Sequence, residues 1–235
     1  MAHSSTRHAD EREPREERPA AAASRFRLFY ALAGAALLAL ASGFAALVAA
    51  HPSRPLTLRI DRGWQAIIRH IRDPALTEGA KIVSLVGGRV GGTVIVIAVA
   101  AFLWLVRERR VGATYLAAVL VVSSSASQLI KHLVLRSRPL GALITADVGS
   151  FPSGHVVTTL AVGSALALVL ARPGHRRIPL AVVAVATLTM IWCRSYLGVH
   201  WLSDTLESIF VAGGIVLTGW AFAGRWVDRE VSSRP

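Results

Sequence analysis

Three short segments of this sequence hold charged and polar residues beside long apolar runs. They are 131–139 (KHLVLRSRP), 151–155 (FPSGH) and 193–204 (CRSYLGVHWLSD). A charged side chain at the centre of a bilayer costs about 2.5–3.5 kcal/mol even on lenient scales, so such residues usually serve a function. The three segments are therefore the first candidates for a functional site.

The residue types in these segments suit the binding of a phosphate group. Lys131, Arg138 and Arg194 supply positive charge, and a guanidinium group matches phosphate oxygens geometrically. Ser153 and Gly154 precede an apolar run. A helix that begins there would present backbone N–H groups to an anion.

His200, Asp204 and His155 complete a candidate catalytic set. The spacing of four residues puts His200 and Asp204 on one face of a helix. The carboxylate would hold one ring nitrogen and leave the other to attack phosphorus, while His155 would protonate the leaving alkoxide. The sequence has no carboxylate–histidine cluster with metal-ligand spacing, so neither a metal nor another cofactor is expected.

The elements that would position these residues are membrane helices. Hydrophobic residues make up 53% of the 235-residue chain and charged residues only 17%, and the mean hydropathy is +0.50. A helix needs about 20 apolar residues to cross the hydrocarbon core. Six spans are predicted, at about 28–50, 83–106, 111–135, 154–171, 178–196 and 201–223.

The predicted fold is therefore an all-α, six-transmembrane-helix bundle. One integral membrane domain would occupy residues 28–223, between a disordered tail at 1–27 and a second tail at 224–235. Between the first two spans, the stretch 55–81 carries apolar residues at helical spacing with interleaved arginines. This pattern is typical of an amphipathic helix in the headgroup layer, and equally of a loop helix packed on the bundle.

Basic residues near the span ends predict the orientation. The clusters at 107–110 and 172–177 lie in short loops, where positive charge marks the cytoplasmic side. Both tails would then be cytoplasmic, and the three polar segments would share the outer face of the cell membrane. The net charge of +12 is also compatible with nucleic-acid binding, but basic residues placed between apolar runs favour anionic lipid.

The motifs K-x6-RP, PSGH and R-x5-H-x3-D occur here in that order. They resemble the motifs of the type 2 phosphatidic acid phosphatase family, the lipid phosphate phosphatases related to vanadium haloperoxidases. The resemblance covers about residues 80–220 and implies a six-helix fold, metal-independent hydrolysis and a phosphohistidine intermediate. It implies that His200 is the nucleophile, Asp204 its partner and His155 the acid. The phosphate binders that it implies are Lys131, Arg138, Ser153, Gly154 and Arg194.

The chain departs from the family pattern at two places. Cys193 stands where the family usually has Ser, which puts one minor hydrogen bond in doubt. Ser208 stands four residues after the motif aspartate, where Gly is frequent, and bears on local packing. Its neighbour Glu207 is unusual and is expected to be an internal ion-pair partner, whereas Arg136 is expected to extend to the membrane interface.

These observations predict a membrane lipid phosphatase of phospholipid metabolism or cell-envelope lipid recycling. Its substrate would be a phosphate monoester or diphosphate of the phosphatidate, phosphatidylglycerophosphate or polyprenyl diphosphate class. A lipid phosphotransferase with the same intermediate and a non-enzymatic lipid-binding membrane protein are the alternatives. The expected partners are a lipid phosphate and the bilayer, without nucleic acid, and the sequence indicates no oligomeric state.

Overall fold

The structure of this chain, a computed structural model, describes residues 17–146 and 149–233. Over these ranges the chain forms helices and no strand, so the predicted all-α class is confirmed. The helices are α1 (Glu17–Ala50), α2 (Leu58–His70), α3 (Pro74–Val86), α4 (Arg89–Leu105), α5 (Arg110–Val134), α6 (Gly154–Leu170), α7 (Arg177–Tyr196) and α8 (Leu202–Ser233). A 3-10 turn at Pro173–His175 joins α6 to α7.

The number of helices suited to crossing a bilayer differs from the six predicted. Among the described residues, α1 from Ser24, α5, α7 and α8 are long and apolar enough. The pair α3–α4, bent by 41°, passes the same test when it is taken as one span. Helix α6 is apolar but has only 17 residues. Length and composition therefore support four spans, or five with the bent pair.

The helices at both ends of the described chain extend beyond the predicted spans. Residues 1–16 of the expected tail lie outside the described residues, but the chain is helical from Glu17, in keeping with the high helix propensity of its alanine run. Helix α8 continues to Ser233, past the predicted end at 223. There the Glu230 carboxylate accepts bonds from the N–H groups of Val111 and Gly112, both at 2.9 Å, and so caps the start of α5.

The apolar core lies between α5, α6 and α8, and α1 packs along α8. Tyr115 and Trp220 meet edge to face with ring centroids 5.6 Å apart, and the Tyr115 hydroxyl donates to the Val216 carbonyl at 3.1 Å. Gly34 allows α1 to approach α8 closely, because a Cβ there would lie 2.7 Å from the backbone nitrogen of Thr218.

The second predicted span is interrupted between α3 and α4, at Gly87 and Gly88. A Cβ on Gly88 would lie 2.9 Å from Nε2 of His155. The same Cβ would lie 2.8 Å from the Ser84 carbonyl oxygen, so a residue larger than glycine would displace the His155 ring or the end of α3. The break brings the end of α3 beside the polar segment at 151–155.

Helix α2, in the stretch 55–81, packs on the bundle against α7 and α8, as the second of the two alternatives predicts. Its buried residues are Asp61, Gln65 and Ile68, whereas Ile60 and Ile67 are exposed. The buried face of α2 is thus largely polar, and the partners of these polar groups lie in the candidate site.

Candidate active site

A cavity of about 470 Å³ lies between α3, α5, α6 and the segment that joins α7 to α8. This volume is in the range of small-molecule binding sites. Five of the predicted site residues line it, namely Lys131, Gly154, His155, Arg194 and His200. Of the described residues that line this cavity, none is acidic.

His200 lies between α7 and α8 with only 2% of its surface exposed. Its Nδ1 is 2.6 Å from the Ser150 carbonyl oxygen, so this nitrogen carries the proton and donates it. Oδ2 of Asp204 is farther away, 3.5 Å from the same nitrogen. The expected contact of Asp204 with His200 is therefore longer than the contact of Ser150 with His200. The Ser150 carbonyl sets the tautomer of the imidazole. Nε2 is left with its lone pair.

Asp204 is buried and held by other groups. Its Oδ2 accepts a bond from the Trp201 N–H at 2.8 Å, and its Oδ1 pairs with Arg136 Nη1 at 2.5 Å. Arg136 also binds Oδ2 of Asp61 through Nη2, at 2.7 Å. The guanidinium group thus bridges a carboxylate of α2 and a carboxylate of α8.

The expectation that Arg136 extends to the membrane interface is wrong, because its side chain is 1% exposed. Two buried carboxylates keep it inside the protein, and its Nη1 also donates to Ser203 Oγ at 2.7 Å. Asp61 in turn accepts the Ser203 N–H at 2.9 Å. Gln65, one turn later on α2, donates to the His200 carbonyl at 2.9 Å. The polar face of α2 therefore holds both the network and the backbone of His200.

Three predicted cations surround His200. Lys131 is buried on α5 and donates to the Gly149 carbonyl at 3.1 Å. Arg194 is buried at the end of α7, where its Nη1 donates to Ser84 Oγ of α3. Arg138 Nη1 lies 2.5 Å from the Val199 carbonyl oxygen and 3.5 Å from Nε2 of His200. Arg138 is thus near the unprotonated ring nitrogen, and Lys131 and Arg194 line the same cavity as His200.

The surroundings of His200 favour its neutral form. Burial lowers the pKa of the imidazole well below its usual value. The positive charges of Arg194, Lys131 and Arg138 lower this pKa further, and His155 acts in the same direction. Because Nδ1 donates to Ser150, the neutral ring presents Nε2 as a base or nucleophile.

The start of α6 differs from the expectation for Ser153. The Ser153 N–H donates to Ser208 Oγ at 2.9 Å and faces Asp204 O at 3.2 Å, so it is directed towards α8. The first backbone bond of α6 joins the Val157 N–H to the Ser153 carbonyl. The Gly154 N–H therefore has no intrahelical acceptor, and Gly154 lines the cavity.

The two departures from the family motifs also have structural counterparts. Cys193 is buried and its Sγ donates to the Ala80 carbonyl at 2.9 Å, which joins α7 to α3. Ser208 holds the start of α6, as described above. Glu207 was expected to form an ion pair and this is wrong, because in the described part of the chain its buried carboxylate has no hydrogen-bond partner. Arg136, a cation of this region, is already bound by Asp61 and Asp204.

Sequence reasoning missed four contributors to the site: Asp61, Gln65, Ser84 and Ser150. Asp61 and Gln65 stand four residues apart, and with Ile68 they mark one face of a helix. This pattern is present in the sequence, but the prediction for α2 was based on the apolar residues of the opposite face. No sequence pattern indicates Ser84 or Ser150. Ser84 contributes a single hydroxyl, and Ser150 contributes its backbone carbonyl, which every residue has.

The comparisons with known proteins come from one family model and two solved structures. The PAP2 superfamily model matches residues 112–228. A transmembrane PAP2-type phosphatidylglycerolphosphate phosphatase from Bacillus subtilis superposes with a TM-score of 0.69 at 22% identity, over 80% of this chain and 93% of that one. LpxE from Aquifex aeolicus gives 0.54 at 18% identity, over 71% and 97%. No curated protein sequence matches the chain significantly.

We expect Arg136→Met to lower the free energy of unfolding by about 3–5 kcal/mol, because it leaves two buried carboxylates unpaired. Arg136→Lys should lose less, since it keeps the charge but cannot present a fork to both carboxylates. Arg69→Ala, at an exposed position of α2, is the control. Thermal unfolding of the purified variants in detergent is the measurement, and an Arg136→Met variant as stable as Arg69→Ala would contradict the network.

Proposed function

Because this chain belongs to the PAP2 superfamily, we propose that it is a membrane phosphatase that hydrolyses a lipid phosphate through a phosphohistidine at His200. The observation that carries the proposal is the placement of His200, His155, Lys131 and Arg194 around one cavity. The Bacillus subtilis neighbour is a transmembrane PAP2-type phosphatase, and both neighbours resemble this chain in fold. The likeness in fold supports the reaction class, and the site residues support the mechanism.

The first step begins at Nε2 of His200. Its lone pair forms a bond to phosphorus while the bond from phosphorus to the lipid oxygen breaks, and the imidazolium of His155 gives its proton to that oxygen. The Nδ1 proton stays on the bond to Ser150, which stabilises the charge that develops on the ring. The negative charge of Asp204, 3.5 Å from Nδ1, also stabilises the positive charge that develops on the ring. The products of this step are the lipid alcohol and a phosphorylated His200.

The second step reverses the role of His155. The neutral imidazole takes a proton from water as the water oxygen bonds to phosphorus, and the bond to Nε2 breaks. Inorganic phosphate leaves, and both histidines return to their starting states. Lys131, Arg138 and Arg194 bind the three phosphoryl oxygens and stabilise the charge of the transition state, together with the Gly154 N–H. The Ser153 N–H is directed to α8, so we propose that Ser153 would bind phosphate through its buried Oγ, which has no hydrogen-bond partner among the described residues.

The membrane arrangement proposed here has six crossings: α1, the bent pair α3–α4, α5, α6, α7 and α8. The short helix α6 begins at the cavity. The free-energy cost of ending a span there is low, because the N-terminus of α6 is surrounded by the polar groups of the site. Positive clusters at 107–110 and 172–177 support cytoplasmic termini and an outward-facing site. The lipid would enter sideways, with its chains remaining in the bilayer.

His200→Ala should abolish the release of inorganic phosphate from a lipid phosphate, with a loss of at least about a thousandfold, because the nucleophile is removed. His132→Ala, at an exposed position of the polar segment 131–139, is the matched control and should retain activity. The measurement is phosphate release by purified protein in mixed micelles. Equal activity of the His200→Ala and wild-type proteins would refute the mechanism, and an inactive wild-type protein would refute the hydrolase class.

Excess EDTA should leave most of the activity intact. Side chains supply the positive charge at the phosphate, and among the residues that the structure describes no three His, Cys, Asp or Glu side chains form a metal-binding group. Phosphate release is measured after the protein has been dialysed against the chelator. Loss of activity that magnesium or zinc restores would show that the reaction needs a metal.

The acid limb of the kcat/KM profile should have its midpoint below pH 6.5. Protonation of Nε2 stops the attack, and the surroundings of His200 lower its pKa, so this protonation occurs at a more acidic pH than for an ordinary histidine. The titration of the substrate phosphate is measured separately by phosphorus NMR and subtracted. A remaining midpoint at or above 6.5 would contradict the neutral, buried nucleophile.

The orientation is tested with single cysteines at Ala142 and Gly174 in a Cys193→Ser background. Both positions are exposed, Ala142 on the loop beside the cavity and Gly174 between α6 and α7. An impermeant thiol reagent applied to intact cells should label position 142 and not position 174, because only the former faces outward. Labelling of 174 alone would place the site on the cytoplasmic side.

A further inference from the structure

The cavity continues beyond the residues that would bind phosphate. On α5 its lining residues are Ser124, Ser127, Gln128 and Lys131, at relative positions 0, 3, 4 and 7 on one face of the helix. Lys131 is at the phosphate end, and seven residues of helix place Ser124 about 10 Å away. Thr158 of α6 lines the same part of the cavity. We call Ser124, Ser127, Gln128 and Thr158 the polar arm.

In the described part of the chain, Ser127 has unused hydrogen-bonding capacity beside the cavity, and Thr158 is a second hydroxyl residue of the lining. Ser127 is 2% exposed, and within the described residues its buried Oγ has no partner. A Cβ on Gly154 would lie 3.5 Å from this oxygen, which places the hydroxyl beside the predicted phosphate site. Thr158 turns its methyl group to Gly92, 2.6 Å from where a Cβ there would lie. A buried hydroxyl normally has a partner, so a ligand oxygen would complete the hydrogen bonding of Ser127.

The outer side of the cavity has a different character. Leu85 and Val90, on either side of the α3–α4 bend, also line the cavity and are 75% and 73% exposed. In a bilayer these side chains would contact hydrocarbon. A lipid in the cavity would therefore have its phosphate at His200, its next few atoms against the polar arm, and its chains leaving past Leu85 and Val90.

We propose that the polar arm is a specificity site for the oxygen-bearing linker next to the phosphate, so that the enzyme prefers glycerol-based lipid phosphates to polyprenyl phosphates. This inference rests on the proposed function. A glycerol unit offers ester or hydroxyl oxygens to Ser127, Gln128 and Thr158. A polyprenyl chain is hydrocarbon from its first carbon and would bury these groups without partners, and a site built for hydrogen bonds discriminates strongly against a ligand that lacks them.

The experiment compares two phosphate monoesters in the same detergent: dioleoyl phosphatidate, whose phosphate is on a glycerol linker, and a polyprenyl monophosphate, whose phosphate is directly on a hydrocarbon chain. The wild-type protein should show a kcat/KM at least about tenfold higher for phosphatidate. Ser127→Ala combined with Thr158→Val should lower the ratio of the two kcat/KM values at least about fivefold. Ser125→Ala, whose side chain is exposed on the other face of α5, should keep the wild-type ratio.

The possible results separate this inference from the proposed function. Hydrolysis of both lipids with an equal ratio in the wild-type and double-variant proteins would overturn the polar arm and leave the phosphatase intact. A wild-type preference for the polyprenyl monophosphate would also overturn it. Failure of the wild-type protein to hydrolyse either lipid would overturn the proposed function, and the inference with it. If the double variant does not fold, Gln128→Leu is measured in the same way and should lower the ratio.

Discussion

The ion pairs of Arg136 with Asp61 and Asp204 are the interaction on which the rest of this site depends. They join α2, the loop after α5 and the start of α8, all of which are buried at the point of contact. An unpaired charge at this depth would be costly, so the three groups are stable only together. The same contacts place Trp201 and Ser203 at the start of α8, and thereby His200, whose backbone carbonyl is held by Gln65.

This pairing also separates the charges of the site. Arg136 pairs with the acidic groups Asp61 and Asp204, whereas Arg138 lies near Nε2 of His200 and Lys131 and Arg194 line the cavity. A phosphate group would therefore meet positive charge, N–H donors and a neutral imidazole in one buried place, where electrostatic stabilisation is stronger than in water. Within the same cavity, hydroxyl and amide groups along α5 and α6 would meet the part of the lipid that follows the phosphate.

The motif spacing predicted which residues meet, because Lys131, Gly154, His155, Arg194 and His200 are all at helix ends on one side of the bundle. It could not predict which neighbour holds each group. Ser150 acts through its carbonyl, which no side-chain pattern reveals, and Arg136 differs from Arg138 only in the direction that the loop gives it. The apolar spans and the spacing of Asp61 and Gln65 were visible in the sequence. The break at Gly87 and Gly88, and the burial of the polar rather than the apolar face of α2, depend on tertiary contacts with α6, α7 and α8.

The central claim is that phosphate passes through Nε2 of His200, and trapping the phosphoenzyme tests it most directly. Protein is mixed with a lipid whose phosphate is radiolabelled, quenched in alkaline denaturant within one turnover and digested for peptide mapping. The account predicts label on the peptide that contains His200, stable to base, released by acid and absent from His200→Ala. Label on any other residue, or phosphate release at full rate with no labelled protein at any time within the turnover, would contradict it.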